Sequence, residues 1–243
     1  MARPGVPDSA EPCVWMSAGL LTYKLCDRDF DCERCPLDAG LRGRKPRRPH
    51  LEALLAPGRD ARIFPDDRLY SDGHSWVQAI GKEDGRLLRF GLDAFAAAII
   101  GRCGEVSWYT PERALRQGET ICRIDLGLGS LSLGAPLQCE VVDRNRTLQE
   151  EPGRLVTDPY AEGWIVQMIA ADLSSLDGLL PADRAREKAW LDLRRFRRRV
   201  ALQLLADAGG LGRTMPDGGE LLADLRQMLG GPGYLDLLRE LIH

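Results

Sequence analysis

The chain of 243 residues carries 33 Lys and Arg against 36 Asp and Glu, a formal net charge of -3, with 44% hydrophobic and 28% charged residues. This is ordinary globular composition, with room for one moderate core and attached pieces, and it excludes disorder of the whole. The slight acidic excess gives no global case for nucleic-acid binding, so any basic recognition has to be local.

Taken from the front, Pro4, Pro7, Asp8 and Glu11 stand where a secretory signal needs an apolar core, so the chain reads as cytoplasmic with reduced thiols. Four of its seven cysteines then follow as Cys13, Cys26, Cys32 and Cys35, spaced Cys-x12-Cys-x5-Cys-x2-Cys and followed by Pro36. Clustered thiols in a reducing compartment are candidate metal ligands, because four thiolates close a tetrahedral zinc site or anchor an iron-sulfur cluster. The Cys32/Cys35 pair has the bite to reach one ion. One continuous helix over residues 14–25 would hold Cys13 and Cys26 roughly 20 Å apart. A four-ligand site therefore requires that segment to bend, with Ser17-Ala18-Gly19 as the turn; otherwise Cys13 drops out. Spacing alone leaves zinc and iron-sulfur open: a Cys-Pro end resembles bacterial ferredoxin runs, whereas structural zinc more often takes two close pairs. A metal-free Cys32/Cys35 dithiol lacks the usual βαβ context. Residues 1–48 are thus a cysteine-rich candidate metal module ending in a basic linker, where Arg42, Arg44, Lys45, Arg47 and Arg48 alternate with Gly and Pro.

The middle, residues 60–180, is mainly β. Trp76 to Ile80, Leu87 to Phe90 and Val106 to Tyr109 suit half-buried strands, and residues 120–125, 131–133 and 137–142 suit three more. Residues 94–100 suit a short helix capped by Asp93. They are also the longest apolar run, far short of the ~20 residues of a membrane span. Gly127 and Gly129 bracket a turn. Cys103, Cys122 and Cys139 stand singly in apolar surroundings, as small hydrophobes.

The tail, residues 181–243, reads as helical. Trp190, Leu193, Phe196, Val200 and Leu204 fall on one face of a long helix ending at Gly209-Gly210. Arg194, Arg195, Arg197, Arg198 and Arg199 form a basic band beside that face, expected to be solvated and partly neutralised by Asp183, Glu187 and Asp192. Two shorter stripes follow: Leu221, Leu222, Leu225, Met228 and Leu229, then Tyr234, Leu237, Leu238 and Leu241 beyond Gly230-Gly231-Pro232-Gly233. Helices this short need a packing partner.

Residues 70–180 resemble the H protein of the glycine cleavage system. The resemblance rests on Asp72-Gly73-His74-Ser75-Trp76, on Phe90-Gly91-Leu92-Asp93-Ala94-Phe95-Ala96 and, most specifically, on Asp158-Pro159-Tyr160-Ala161-Glu162-Gly163-Trp164, with Pro136, Glu140-Val141-Val142 and Asn145 in register. It implies an α+β chain whose centre is a barrel-sandwich hybrid, with a tight hairpin that presents the lipoyl lysine. Counting from Gly118 puts Leu128 at that position. The chain's lysines are Lys24, Lys45, Lys82 and Lys188, all off the hairpin. Lipoate is attached to an amine, so no lipoate is expected here. Leu128 reads either as an apolar knob for a partner or as a residue folded down after drift, the latter being favoured.

No Ser/His/Asp set, phosphate-cradling loop or paired-carboxylate motif appears, and His74 reads as structural. The expectation is a non-lipoylated protein-binding or regulatory module with a metal-binding cysteine cluster, more a binding protein than an enzyme. The alternative is an iron-sulfur electron-transfer protein that docks through its β domain.

Overall fold

The computed structural model describes residues 11–18, 20–41, 63–81, 85–109, 114–207 and 225–242. The basic linker, Leu221, Leu222 and the Gly209-Gly210 helix end lie outside these residues. In chain order the elements are α1 (Val14–Ser17), α2 (Pro36–Leu41), β1 (Leu69–Tyr70), β2 (Ser75–Ala79), β3 (Leu87–Leu92), α3 (Ala94–Ile100), β4 (Glu105–Trp108), β5 (Thr120–Asp125), β6 (Ser130–Gly134), β7 (Cys139–Arg144), α4 (Thr147–Glu150), α5 (Arg154–Thr157), β8 (Val166–Ala170), α6 (Ala182–Asp207) and α7 (Leu225–Leu241). Short 3-10 turns add Cys32–Arg34 and Leu173–Gly178. Content is mixed α and β. No helix among the described residues is long and apolar enough to cross a membrane.

Contacts gather the chain into two compact units, and each takes a share of the helical tail: residues 54–192 with 231–243, and residues 1–53 with 193–230. The larger unit holds two antiparallel sheets, ordered β1-β2-β3-β8-β7 and β4-β5-β6. Strands β6 and β8 alternate as a half-buried sheet requires, and Trp76, Phe90, Ile121, Ile124 and Leu131 are removed from solvent together with Phe95 of α3. Asp93 caps α3 by accepting from the Ala96 amide at 2.8 Å, which satisfies one of the donors left unpaired at a helix start. Strand β8 (Val166–Ala170) is an addition to the elements read from sequence, while the edge strand β1 and the four-residue helices α4 and α5 show no clear periodicity. Elements that short leave none to detect.

Cys122 and Cys139 are buried and Cys103 half-buried. Burial pushes the Cys103 thiol up to about 12 and Cys139 to about 11, as suits small hydrophobes rather than nucleophiles.

Candidate functional site

Three places carry chemistry. The first is the network that the recognisable motifs build. Trp76 donates its indole N–H to the carbonyls of Leu92 at 2.8 Å and Pro159 at 3.1 Å. Asn145 donates to the carbonyls of Glu162 at 2.6 Å and Trp164 at 2.7 Å, and the Tyr160 hydroxyl accepts from the Ala94 amide at 2.9 Å. Arg68 lies over both the Trp76 and Tyr160 rings, 4.6 and 5.0 Å from their centroids. Two glycines are fixed by space. A Cβ on Gly91 would fall 2.7 Å from the Trp76 ring, and one on Gly163 would fall 2.6 Å from the Arg154 carbonyl oxygen. These strings are therefore joints of the fold.

His74 belongs to the same unit, in a turn at φ 58°. It is 1% exposed, its Nδ1 2.9 Å from Asp93 and its Nε2 3.2 Å from Asp192. Lys188 donates to the same Asp192 oxygen at 2.5 Å. Burial alone would lower the His74 pKa, but the Asp93 charge and the hydrogen bonds that the ring donates to both carboxylates raise it overall. Burial likewise pushes Asp192 up, and the hydrogen bonds from His74 and Lys188 reverse this and hold it well below the usual carboxylate range. In sequence Asp192 reads as one of the acids beside the arginine band. It sits 118 residues from His74 in sequence, and no local pattern announces such a pair.

The second place is the β5–β6 hairpin. Asp125 pairs with Ser130, the Leu126 amide donates to the Gly129 carbonyl at 2.9 Å, and Gly127 and Gly129 take φ values of 74° and 139°. Only glycine adopts such angles freely, so this pair of residues permits the tight tip. Leu128 sits between them, half-buried. Its Cβ lies 3.2 Å from where a Cβ on Gly231 would be. A lipoyl arm does not fit these residues. The tip offers no amine, and of the described lysines Lys188 is engaged by Asp192 and Lys24 pairs with Asp27.

The third place is the cysteine module. The segment after Cys13 turns one short helix, α1, and then reverses, so that Pro12 and Leu25 form an antiparallel bridge. The Cys13 amide donates to the Lys24 carbonyl at 2.8 Å and the Cys26 amide to the Glu11 carbonyl at 2.9 Å. The bend that brings Cys13 back to Cys26 is thus a hydrogen-bonded one. The Phe30 amide donates to the Cys26 sulfur at 3.2 Å, helped by left-handed backbone at Asp29 and Phe30. Cys13, Cys26, Cys32 and Cys35 line one cavity of about 20 Å³ with Phe30 and Asp38. Burial, then Asp38 and the other three cysteines, push the Cys32 thiol up to about 12. As the side chains stand, no three His, Cys, Asp or Glu among the described residues are gathered as a finished ion site. What the four thiols share is the lining of that one cavity.

The arginine band belongs to the module's own unit. Arg194 pairs with Asp29, Arg198 with Glu11, and Arg197 stands 3.8 Å from Asp31. For these three arginines the neutralising acids come from the cysteine module. Glu187 pairs with Arg184.

A two-sheet β domain with a glycine-bracketed hairpin and an Asn-Trp-Tyr closure is the class these features define. The glycine cleavage H-protein family model matches residues 68–190, and the chain belongs to that family. It is 31% identical over 123 residues to the glycine cleavage system H protein of Cyanothece sp., covering 51% of this chain and 92% of that one. It is 34% identical over 117 residues to the H protein of Mycolicibacterium gilvum, covering 48% and 86%. Among solved structures, the glycine cleavage system H protein from Mycobacterium marinum matches with 24% identity and a TM-score of 0.44, covering 53% of this chain and 98% of that one. The cysteine module, Asp192 and the last helix all fall outside the matched residues.

Proposed function

We propose that this chain is a non-lipoylated H-protein-family protein that acts as a protein-binding or regulatory module and holds a metal ion with Cys13, Cys26, Cys32 and Cys35. The supporting observation is the single cavity lined by all four thiols, in a chain whose hairpin presents Leu128 where an amine would be needed. In this reading residues 1–48 are the metal module with its linker, residues 60–180 the barrel-sandwich hybrid and residues 181–243 the helical tail, in a reducing cytoplasm.

Four thiolates in one small cavity repel one another and lose solvation, so the bare cluster resists ionising; a thiophilic cation removes both costs by displacing the protons. Of the two metals the cysteine spacing leaves open, zinc is the one this reading takes, with a structural role because four protein ligands leave no open position. The iron-sulfur reading is its rival.

Metal analysis and visible spectra of oxygen-free protein test the proposal, with Cys32→Ser and Cys35→Ser alongside. About one zinc per chain in a colourless sample, lost in both variants, is the expected result. Iron and sulfide with visible absorption would replace zinc by a cluster. Unchanged metal in both variants, or none in the parent, would end the cysteine-ligand claim. A lipoyl mass on the intact chain would end the non-lipoylated one.

A further inference from the structure

Helix α7 is two helices in one, broken at Gly230 (φ 69°, ψ 155°). Pro232 falls in the first turn after the break, where a missing N–H costs nothing. From Gly231 to Ile242 the chain belongs to the larger unit, and its Tyr234, Leu235, Leu237, Leu238 and Ile242 are all buried. Asp236, Arg239 and Glu240 stay exposed, so the helix presents one apolar face.

Part of that face meets the hairpin tip through a reciprocal fit. Leu235 reaches over Gly129, where a Cβ would lie 2.5 Å from the Leu235 Cδ2, and Leu128 reaches toward Gly231, where a Cβ would lie 3.2 Å from the Leu128 Cβ. Each leucine fills the gap left by the other element's glycine. One turn on, Arg239 donates to the Ser130 carbonyl at 3.3 Å. Beyond the hairpin, the Tyr234 hydroxyl donates to the Ile99 carbonyl near the end of α3. Gly231, Leu235 and Arg239 recur every four residues, the spacing of one helix face. They meet the consecutive hairpin residues Leu128, Gly129 and Ser130.

We infer that the β5–β6 hairpin tip is a docking site for an amphipathic helix, read by a Gly-x3-Leu-x3-Arg face and filled in cis by the chain's own residues 231–242. The contact turns a presenting loop into a receiving one. Leu128 is neither a free knob nor a residue folded onto its own hairpin; it is the floor of the seat. A partner for this tip must bring a helix with the same face and must displace the tail. The inference rests on these contacts and not on the metal.

The test uses the full chain. In Leu235→Asp the tail should leave its seat, and hydrogen exchange at the Leu126 amide should speed up by about tenfold or more while the β2 and β3 amides keep their protection. A fluorescent peptide of residues 231–243 should then bind this variant saturably and restore the slow exchange, should not bind the parent, and should fail when it carries the Leu235→Asp change itself. Should Leu235→Asp not fold, Gly231→Val crowds Leu128 from the helix side and takes the same measurements. Hairpin exchange unchanged in the folded variant, or a peptide that does not bind it, would overturn the inference.

Discussion

The matched β region and the cysteine module solve the same problem, closing a small structure, by opposite means. The β region closes on apolar area and backbone fit, with Trp76, Phe90, Phe95 and Ile124 sealed from water and Gly91 and Gly163 in places that admit no Cβ. The module has little of this. Cys13, Met16 and Phe30 are its buried apolar side chains among the described residues 11–41, with Leu193, Phe196 and Val200 buried on α6 of the same unit, and its ties include amide hydrogen bonds, ion pairs to arginines and four thiols around a cavity. A core that small supplies little folding free energy, and small domains commonly add a metal or disulfides. In the proposed reading, order in one region therefore depends on shape, and in the other on the metal that holds the sulfurs.

Removing the thiols or their ligand is the sharpest way to break the comparison. With Cys32→Ser or a strong chelator, residues 11–41 should lose most of their exchange protection while strands β2, β3 and β8 retain theirs. A module that stays protected in both cases would show that its core and ion pairs suffice.

Next in size are changes to the joints of the β region. Gly163→Ala sets a methyl 2.6 and 2.7 Å from two carbonyl oxygens, of Arg154 and Asp158, and backbone cannot step aside. Denaturant unfolding should show a loss of about 2 kcal/mol or more, the upper range for overpacking. Gly91→Ala, which meets the Trp76 ring, should cost about 1–3 kcal/mol by the same measurement. Either result near zero would mean that the closing strings are held less tightly than the contacts imply.

Much of this was legible in the residues themselves. Strands β2, β3, β5 and β7 carry period-two patterns or sit in motifs, α3 begins at an Asp that does cap it, and glycines bracket the hairpin. The family followed from strings whose order is forced by contact, such as Asn145 with the Glu162 and Trp164 carbonyls. What stayed hidden depends on distance along the chain. No local signal joins Asp192 to His74 or Arg198 to Glu11. Leu235 and Gly129, separated by more than a hundred positions, look like an ordinary stripe residue and an ordinary turn residue until the fold sets one upon the other.

The His74 network offers a pH test of moderate size. His74 has a raised pKa, so its contribution is complete below the unfolded value of about 6.5 and fades as pH rises through the folded one. Asp192 has a lowered pKa, so its contribution is complete above about 3.9 and fades on acidification. The two overlap between roughly pH 4 and 6.5, where the network stabilises most. The stability gap between parent and a His74→Gln variant should therefore narrow as pH rises from 6 to 9. A gap that is flat across that range would show that His74 serves by shape alone.

The smallest effects belong to the arginine band. Arg194 pairs with Asp29 while both side chains are about half exposed, 49% and 54%, whereas Arg197 and Asp31 are 17% and 21% exposed. Exposed pairs are screened and lose side-chain freedom, so a double-mutant cycle on Arg194→Ala and Asp29→Ala should give a coupling of about 0.2–1 kcal/mol that shrinks with added salt. Arg197 and Asp31, drier but 3.8 Å apart, should couple with weaker salt dependence, because screening by ions falls with burial. If both couplings vanish, the module's acids merely tolerate the arginine face. The burden of holding the module then returns to the thiols.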